Sequence, residues 1–205
     1  MNENHDHYFT ESPSTDFRSR EILVSLAGRE LTLETAGGVF SPEHLDTGTR
    51  ILLGQVDELP TTGTFLDVGC GWGPIALTMG IQAPNATVWA IDINERAREL
   101  TARNAVRCGL TNVRVAAPHE VPDDLRFDVI WSNPPIRVGK AALHELLQTW
   151  LNRLTPTGEA WLVVAKSLGA PSLLTWLNET LPSGWNAERV AQDKGFHVIR
   201  VTPGS

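Results

Sequence analysis

An Asn-Pro-Pro-Ile sequence at 133–136 carries the most specific chemistry in this chain. Neither proline has an N–H, and a residue that precedes proline is kept out of the helical region, so the turn is stiff. The side-chain oxygen of Asn133 and the carbonyl of Pro134 then form two acceptors that face one point. Two converging acceptors suit an –NH2 group, because they hold both hydrogens and leave the nitrogen lone pair directed at an electrophile. We therefore predict that Asn133 and Pro134 position an amine for group transfer.

A glycine-rich segment and a later aspartate predict a second part of the same site. Asp67 ends a short apolar stretch, and Pro74 opens a helical run, which suits proline at a first helical position. Between them lie Gly69, Cys70, Gly71 and Gly73. This order lets backbone N–H groups and a helix N-terminus approach a ligand. Asp92 ends the next predicted strand, where a carboxylate accepts hydrogen bonds from both ribose hydroxyls of a nucleoside. Its alternative role is helix capping, and its spacing suits NAD nearly as well as S-adenosylmethionine.

Alternating strands and helices predict the frame that positions these groups. The predicted strands cover 65–68, 87–92, 113–116, 127–132, 160–165, 185–191 and 195–201. Regular alternation favours an α/β, Rossmann-like fold with a mostly parallel seven-stranded sheet and helices on both faces. The turn at Asp193-Lys194 is too short for a crossover helix, so the last strand is predicted to run antiparallel.

The N-terminal part is predicted to cap this core. Residues 1–20 form a polar tail, in which His5 and His7 are expected to be solvated, and we predict no metal site. A β-hairpin follows at 22–33, and a helix is predicted to begin at 41–43 and continue to Val56. One domain is expected over 21–205, with an N-terminal cap at 21–62 and a Rossmann-like core at 63–205.

Composition narrows the class of protein. The 205 residues carry a formal net charge of −7, which counts against a protein that coats nucleic acid generally, although a locally basic cleft stays possible. Two cysteines fit a reducing cytosol without disulfides, so a cytoplasmic location is expected. No apolar run reaches the roughly 20 residues that a membrane span requires. The sequence leaves the oligomeric state open.

With Gly38-Val-Phe-Ser41 and Leu45-Asp-Thr-Gly-Thr49, these motifs resemble one family. The chain is similar to class I S-adenosylmethionine-dependent methyltransferases of the small-domain type, the RsmC-like group that methylates guanine N2 in ribosomal RNA. The likeness is greatest to short, stand-alone members with the Asn-Pro-Pro-Ile motif. It implies S-adenosylmethionine as cofactor, ribosomal RNA or a ribosomal particle as partner, and an amino nitrogen as target.

The resemblance also implies three sets of site residues. The cofactor would contact Asp67, Gly69, Cys70, Gly71, Gly73, Asp92, Ile93 and Asn133, with Asp92 on the ribose and Ile93 on the adenine. The target amine would be held by Asn133 and Pro134. The substrate would meet Phe40, Asp46, Thr49, Pro135, Ile136 and Arg137. Phe40 has the alternative of a core position under the hairpin, and Arg137 that of a structural cap on its loop. No acid follows the third strand directly in 116–119, so a backbone carbonyl or His119 would have to bind the adenine amino group.

Other functions stay open at this point. A glutamine side chain of a protein presents the same –NH2 group, and a binding factor would keep the cofactor pocket without turnover. A nicotinamide dehydrogenase is disfavoured by Pro74 and by the Asn-Pro-Pro turn. The arginines of the predicted helix at 94–108 are expected to form a solvated face rather than an RNA patch. Because a carboxylate still accepts from –NH2, Asn133→Asp is expected to retain more activity than Asn133→Ala.

Overall fold

The structure is a computed structural model that describes residues 19–56, 58–135 and 139–204. A two-stranded hairpin, β1 (Ser19–Leu26) and β2 (Arg29–Ala36), precedes a seven-stranded sheet. The sheet contains β3 (Thr64–Val68), β4 (Thr87–Ile91), β5 (Val113–Ala116), β6 (Phe127–Ser132), β7 (Leu154–Ala165), β8 (Trp185–Asp193) and β9 (Phe196–Pro203). The helices are α1 (Thr47–Leu53), α2 (Pro74–Gln82), α3 (Glu95–Arg107), α4 (Lys140–Leu151) and α5 (Ala170–Thr180).

The strand order of the sheet is β5-β4-β3-β6-β7-β9-β8. The first five strands pair in parallel, and β9 runs antiparallel to both β7 and β8. The predicted Rossmann-like sheet with an antiparallel last strand is therefore confirmed. Strand order reverses between β3 and β6, so a crevice is expected above the carboxyl ends of these two strands. That crevice lies where Asp67 and Asn133 were predicted to act.

Both faces of the sheet are covered, as the side-chain alternation of a buried strand requires. On β3, Phe65 packs on one face with the apolar residues of α1 and α2. Its neighbour Leu66 packs on the other face with those of α4. A third cluster joins the hairpin to α3. No helix among the described residues is long and apolar enough to cross a membrane.

The N-terminal segment departs from the prediction at the start of its helix. Ser41 has a φ of 46°, and its hydroxyl donates to the carbonyl of His44, so residues 41–44 form a turn. The helix begins at Thr47, where Asp46 accepts from the backbone N–H of Thr49 at 3.0 Å. The predicted start at 41–43 is therefore wrong, because Asp46 and not Ser41 satisfies the free amides of the first turn. The limits of cap and core, 21–62 and 63–205, stay predictions.

The hairpin is fastened to α3 by ion pairs. Arg103 pairs with Glu34 and Glu99, and Arg107 pairs with Glu21 and Glu34. Arg96 is buried and donates to the carbonyl of Gly37, which precedes the cleft segment. The expected solvated face of this helix is therefore wrong in part, because several of its arginines dock the hairpin. Their charges are committed within the fold.

Candidate active site

One cleft brings seven of the fifteen predicted site residues together. It lies between the N-terminal segment and the loop after β3. The residues that line it are Phe40, Ser41, Asp46, Thr49, Gly69, Cys70, Gly71, Trp72, Pro74, Ile75 and Asn133. Asn133 enters from the end of β6, the strand that pairs with β3. The topology of the sheet therefore explains why segments far apart in sequence share this cleft.

The backbone of the glycine loop is largely occupied by the protein itself. The N–H groups of Gly69 and Cys70 both donate to the carbonyl of Ile91, at 2.8 and 3.0 Å. The N–H of Gly71 donates to Asp92 Oδ2 at 3.0 Å. Sequence reasoning expected such amides to face a ligand, and these three do not. The loop is therefore shaped for close approach, without the row of free donors that cradles a diphosphate.

Asp67 is a buried carboxylate of β3 that lies before the glycine loop and is not among the residues that line the cleft. Its side chain is fully buried, Oδ2 accepts from the Ala76 N–H at 3.0 Å, and Oδ1 has no hydrogen-bond partner among the described residues. Burial raises the pKa of Asp67 well above its usual range, and the Asp92 carboxylate adds to this rise. An unpartnered buried carboxylate oxygen favours a ligand that carries positive charge or N–H donors.

Asp92 is held in place at the end of β4. Its Oδ1 accepts from the Asn94 N–H at 2.9 Å, and its Oδ2 accepts from Gly71. Burial raises the pKa of Asp92, although these hydrogen bonds oppose the rise. The capping role left open from sequence belongs to Asn94, whose side chain accepts from the Arg96 N–H at the start of α3. The remaining lone pairs of Asp92 keep the capacity to accept from hydroxyl groups.

The other predicted cofactor residues divide into open and packed positions. A Cβ on Gly71 would meet nothing within 4 Å, and one on Gly69 would meet only Pro135, at 3.9 Å. A Cβ on Gly73 would lie 3.1 Å from Thr101 Oγ1, so this glycine serves helix packing. Cys70 accepts from Thr101 through Sγ at 3.4 Å, and burial raises its pKa, so the thiol belongs to the core. Ile93, next to Asp92, is 45% exposed.

The amide of Asn133 has one orientation. Its Nδ2 donates to Asp46 Oδ2 at 2.8 Å and to Thr49 Oγ1 at 3.0 Å. A carboxylate only accepts hydrogen bonds, so the reversed amide would set two oxygens against each other. Both amide hydrogens are therefore directed into the N-terminal segment. Oδ1 is left as the acceptor, and no described residue donates to it.

The predicted substrate residues have distinct surroundings. Asp46 and Thr49 line the cleft and also hold Asn133, a contact that sequence reasoning did not foresee. Phe40 is 46% exposed at the cleft, so its alternative as a core residue is wrong. Pro134 is buried and Pro135 half-buried beside Gly69. Ile136 and Arg137 lie outside the described residues.

Three further contacts seat the segment before α1 on the core. Trp72 Nε1 donates to the Ser41 carbonyl, and Asn94 Nδ2 donates to the Gly38 carbonyl. The buried side chain of Asn104 bridges Glu34 to the Trp72 carbonyl at 2.8 Å. In the sequence, Asn94 and Asn104 are polar positions of the helix predicted at 94–108. Their partners are backbone carbonyls, which no sequence pattern identifies.

A carboxylate also lies after β5, where sequence reasoning found none close enough. A short 3-10 helix at Pro118–Glu120 turns the chain back, and Glu120 Oε2 accepts from the Ala117 N–H at 2.6 Å. This turn brings a carboxylate to the end of β5.

Comparison with known families decides the class. The family model described as methyltransferase small domain matches residues 30–200, which is most of the chain. The chain belongs to the methyltransferase small domain family. The prediction of a small-domain class I S-adenosylmethionine-dependent methyltransferase, made from the Asn-Pro-Pro and glycine motifs, is thereby confirmed.

The relatives of this chain include one protein of similar length and others about twice as long. It is 35% identical over 198 residues to the Bacillus subtilis protein YbxB, covering 95% of this chain and 97% of that one. It is 32% identical over 179 residues to the ribosomal RNA small subunit methyltransferase C of Cronobacter sakazakii, covering 85% of this chain and 50% of that one. The chain thus spans about half the length of the latter kind of relative.

A solved structure shares the fold. The 16S rRNA N2 G1207 methyltransferase (RsmC) of T. thermophilus, in complex with AdoMet and guanosine, superposes with a TM-score of 0.74 at 20% identity. The match covers 94% of this chain and 52% of that one.

Proposed function

We propose that this protein transfers a methyl group from S-adenosylmethionine to an exocyclic amino nitrogen, and that its target is guanine N2 in ribosomal RNA. The observation that carries the proposal is the orientation of the Asn133 amide. With Nδ2 bound to Asp46 and Thr49, Oδ1 is the atom left to face a substrate. An acceptor at that position selects a substrate group with N–H hydrogens, and a guanine amino group has two.

The two carboxylates near the cleft, Asp67 and Asp92, favour S-adenosylmethionine over NAD as the cofactor. S-adenosylmethionine has a sulfonium and an ammonium group, whereas NAD has an anionic diphosphate. Asp67 has an unpartnered buried oxygen, and the first glycine-loop amides are bound within the protein. A diphosphate would meet two carboxylates and would find these three amides already bound, which is unfavourable. Asp67 is proposed to face the cationic end of the cofactor and Asp92 its ribose hydroxyls. When bound, the cofactor supplies an electrophilic methyl group.

The chain's own residues are proposed to supply geometry and not a base. Asn133 Oδ1 and the Pro134 carbonyl accept the two amine hydrogens, so the nitrogen lone pair is directed at the methyl group. The two prolines keep this turn rigid before substrate arrives, which lowers the cost of orientation. The methylated amine is acidic and can release its proton to water, so no side chain has to titrate for turnover.

An RNA target is supported by relatives and by one side chain. A relative named ribosomal RNA small subunit methyltransferase C is 32% identical over most of this chain. Phe40 presents an exposed aromatic ring at the cleft, and a flipped base stacks well on such a ring. We propose that this ring supplies the base stacking for which the family often has an aromatic residue where this chain has Ile136.

The test is to locate the transferred methyl group. Purified protein is incubated with methyl-labelled S-adenosylmethionine and with ribosomal RNA, free or in particles, and the RNA is digested to nucleosides. The proposal predicts label in N2-methylguanosine, with incorporation roughly 10²–10³-fold slower for Asn133→Ala. Label in a glutamine side chain of a ribosomal protein would instead establish the alternative reaction on a protein.

A further inference from the structure

All the lysines of this acidic chain lie at one edge of the sheet. There are three of them: Lys140, Lys166 and Lys194. Lys140 is the first residue of α4, after the loop that follows β6. Lys166 comes directly after the last residue of β7. Lys194 lies in the turn between β8 and β9. Lys166 and Lys194 lie at the ends of adjacent strands and Lys140 opens the helix after β6, so all three lie on the side of the sheet away from the predicted cofactor residues of β3 and β4.

These lysines differ from the arginines in how they are used. All three lysines are exposed, and every ion pair between described residues is made by an arginine. Other arginines stabilise the fold by donating to backbone carbonyls, as Arg96 and Arg98 do. All the lysine charge therefore lies at the edge of the sheet where Asn133 lies, whereas Arg29 and Arg114, which also make no ion pair with described residues, lie on other parts of the fold.

The spacing of these residues follows from the sheet. Neighbouring strands lie about 4.8 Å apart, so the ends of β6, β7 and β9 span about 10 Å. The Lys166 N–H donates to the Gly195 carbonyl at 2.7 Å, which ties the chain after β7 to the turn that contains Lys194. Lys166 and Lys194 therefore lie close together at this edge, and Lys140 begins the helix that follows the Asn133 loop on the same side of the sheet.

We propose that this lysine rim, formed by Lys140, Lys166 and Lys194, binds phosphates of an RNA strand next to the methylated nucleotide. The proposal rests on the proposed function, and it specifies how the RNA would lie: across the ends of β6, β7 and β9. The net charge of −7 repels a polyanion elsewhere. An RNA strand that approaches along the rim meets three uncommitted ammonium groups and presents its base to Asn133.

Salt dependence of binding tests the rim without using activity. The affinity for a guanosine-containing single-stranded RNA oligonucleotide is measured at several salt concentrations for wild type and for the variant with all three lysines changed to Gln. Each phosphate contact contributes about 0.7 to the slope of log affinity against log salt, so the slope should become shallower by about 2. The matched control changes Arg29, Arg114 and Arg126 to Gln, which alters net charge equally at sites away from the rim. Equal slopes for the lysine variant and wild type, or an equal loss in the control, would overturn the proposal.

A single substitution, Lys194→Asn, tests the rim while it is expected to raise the stability of the fold. Lys194-Gly195 and Ala27-Gly28 are both two-residue turns with positive φ at each position. Asn is preferred over Lys or Ala at the first position of such a turn. Lys194→Asn and Ala27→Asn should therefore both raise the midpoint of thermal unfolding. Only Lys194→Asn should also lower RNA affinity and make the salt slope shallower by about 0.7.

The two binding experiments also separate this inference from the proposed function. Wild-type protein that fails to methylate ribosomal RNA would refute the proposed function. The lysine rim is tested separately, by the slope of log RNA affinity against log salt in the lysine variant. If Lys194→Asn raises the unfolding midpoint and binds RNA as tightly as Ala27→Asn does, Lys194 is not a phosphate contact and the rim is refuted. A loss confined to Lys194→Asn supports it.

Discussion

The proposed cofactor side and the proposed substrate side of the site differ in how far they depend on the N-terminal segment. On the cofactor side, Asp67 and Asp92 are oriented by backbone N–H groups of the core, from Ala76, Gly71 and Asn94. On the substrate side, Asn133 is oriented by Asp46 and Thr49, which belong to the N-terminal segment.

This difference separates binding from catalysis. Changes in the N-terminal segment should alter the rate of methyl transfer and leave cofactor affinity nearly unaltered. Changes at the ends of β3 and β4 should instead weaken cofactor affinity and leave the rate of methyl transfer from the bound cofactor nearly unaltered. A small α/β core can thus keep one cofactor site while the segment before it adjusts the group that meets the substrate.

The largest effect is expected on the substrate side, at Asn133. Asn133→Ala removes the oriented acceptor, so kcat should fall roughly 10²–10³-fold, as when one preorganised polar contact is deleted. Cofactor affinity, measured by calorimetric titration, should stay close to that of wild type. A comparable loss of cofactor affinity would show that the two halves are not separate.

The matching change on the cofactor side is Asp92→Ala. Loss of a charged acceptor for ribose hydroxyls should weaken S-adenosylmethionine and its demethylated product by about 1.5–3 kcal/mol. Calorimetric titration measures this directly, and circular dichroism checks that the fold is retained. Unchanged affinity would remove Asp92 from the site.

A smaller effect is expected from Thr49→Val, which is close in shape. Val lacks the hydroxyl that accepts from Asn133 Nδ2 at 3.0 Å. One neutral hydrogen bond contributes about 0.5–1.5 kcal/mol, so kcat should fall roughly 2–10-fold. Thr47→Val, in the first turn of the same helix, is the control for stability and should turn over normally. Equal losses in both variants would point to the helix and not to Asn133.

The smallest effect is a pH dependence of cofactor affinity. Burial raises the pKa of Asp67 and of Asp92 in the folded protein, so each carboxyl holds its proton to a higher pH than in the unfolded chain. Between the unfolded and folded pKa values the folded state binds more protons, and stability without ligand falls as pH rises. A cationic ligand prefers the ionised carboxylates, so its affinity should instead fall as pH is lowered through the raised pKa values. Asp67→Asn should flatten this profile; an unchanged profile would argue against contact between Asp67 and the cofactor.

The sequence predicted the fold well because the fold depends on local patterns. Period-two and helical apolar spacing identified the strands and helices, and the short turn at Asp193-Lys194 indicated that β9 is antiparallel. The start of α1 was missed because Ser41 and Asp46 are both plausible caps. Only the φ of 46° at Ser41 and the Thr49 N–H contact of Asp46 distinguish them.

Sequence reasoning predicted which residue types form the site better than it predicted the contacts between them. Asp67 lies near the end of a strand, and Asp92 and Asn133 directly follow strands, so their edge of the sheet was foreseeable from sequence. The bond between Asn133 and Asp46 joins residues 87 positions apart, and no local pattern indicates it. The glycine-loop amides were expected to face a ligand, but the Ile91 carbonyl accepts from two of them through tertiary pairing.

The contact with Asp46 changes what Asn133→Asp is expected to do. From sequence, the carboxylate was expected to retain more activity than Ala because it still accepts from –NH2. With Asp46 Oδ2 at 2.8 Å from the present Nδ2, the new carboxylate would face another one. Repulsion raises the pKa of such a pair until it shares a proton. Near neutral pH we therefore expect Asn133→Asp to be no better than Asn133→Ala.

The most direct test of the contact between Asp46 and Asn133 is to exchange the carboxylate at 46 and the amide at 133. In the double variant Asp46→Asn with Asn133→Asp, the new amide at 46 donates to the new carboxylate at 133. Asp46 Oδ2 now accepts both from Asn133 Nδ2 and from the Thr49 N–H, so an amide nitrogen in that place restores the contact with residue 133 and gives up the cap of α1. Single-turnover methyl transfer is compared across wild type, both single variants and the double variant. We predict that the double variant is about 10-fold faster than Asn133→Asp alone. Such a gain lies within the coupling energies of about 0.5–3 kcal/mol that contacting residues show. A double variant as slow as the product of the two single effects would contradict the claim that Asp46 orients Asn133 for catalysis.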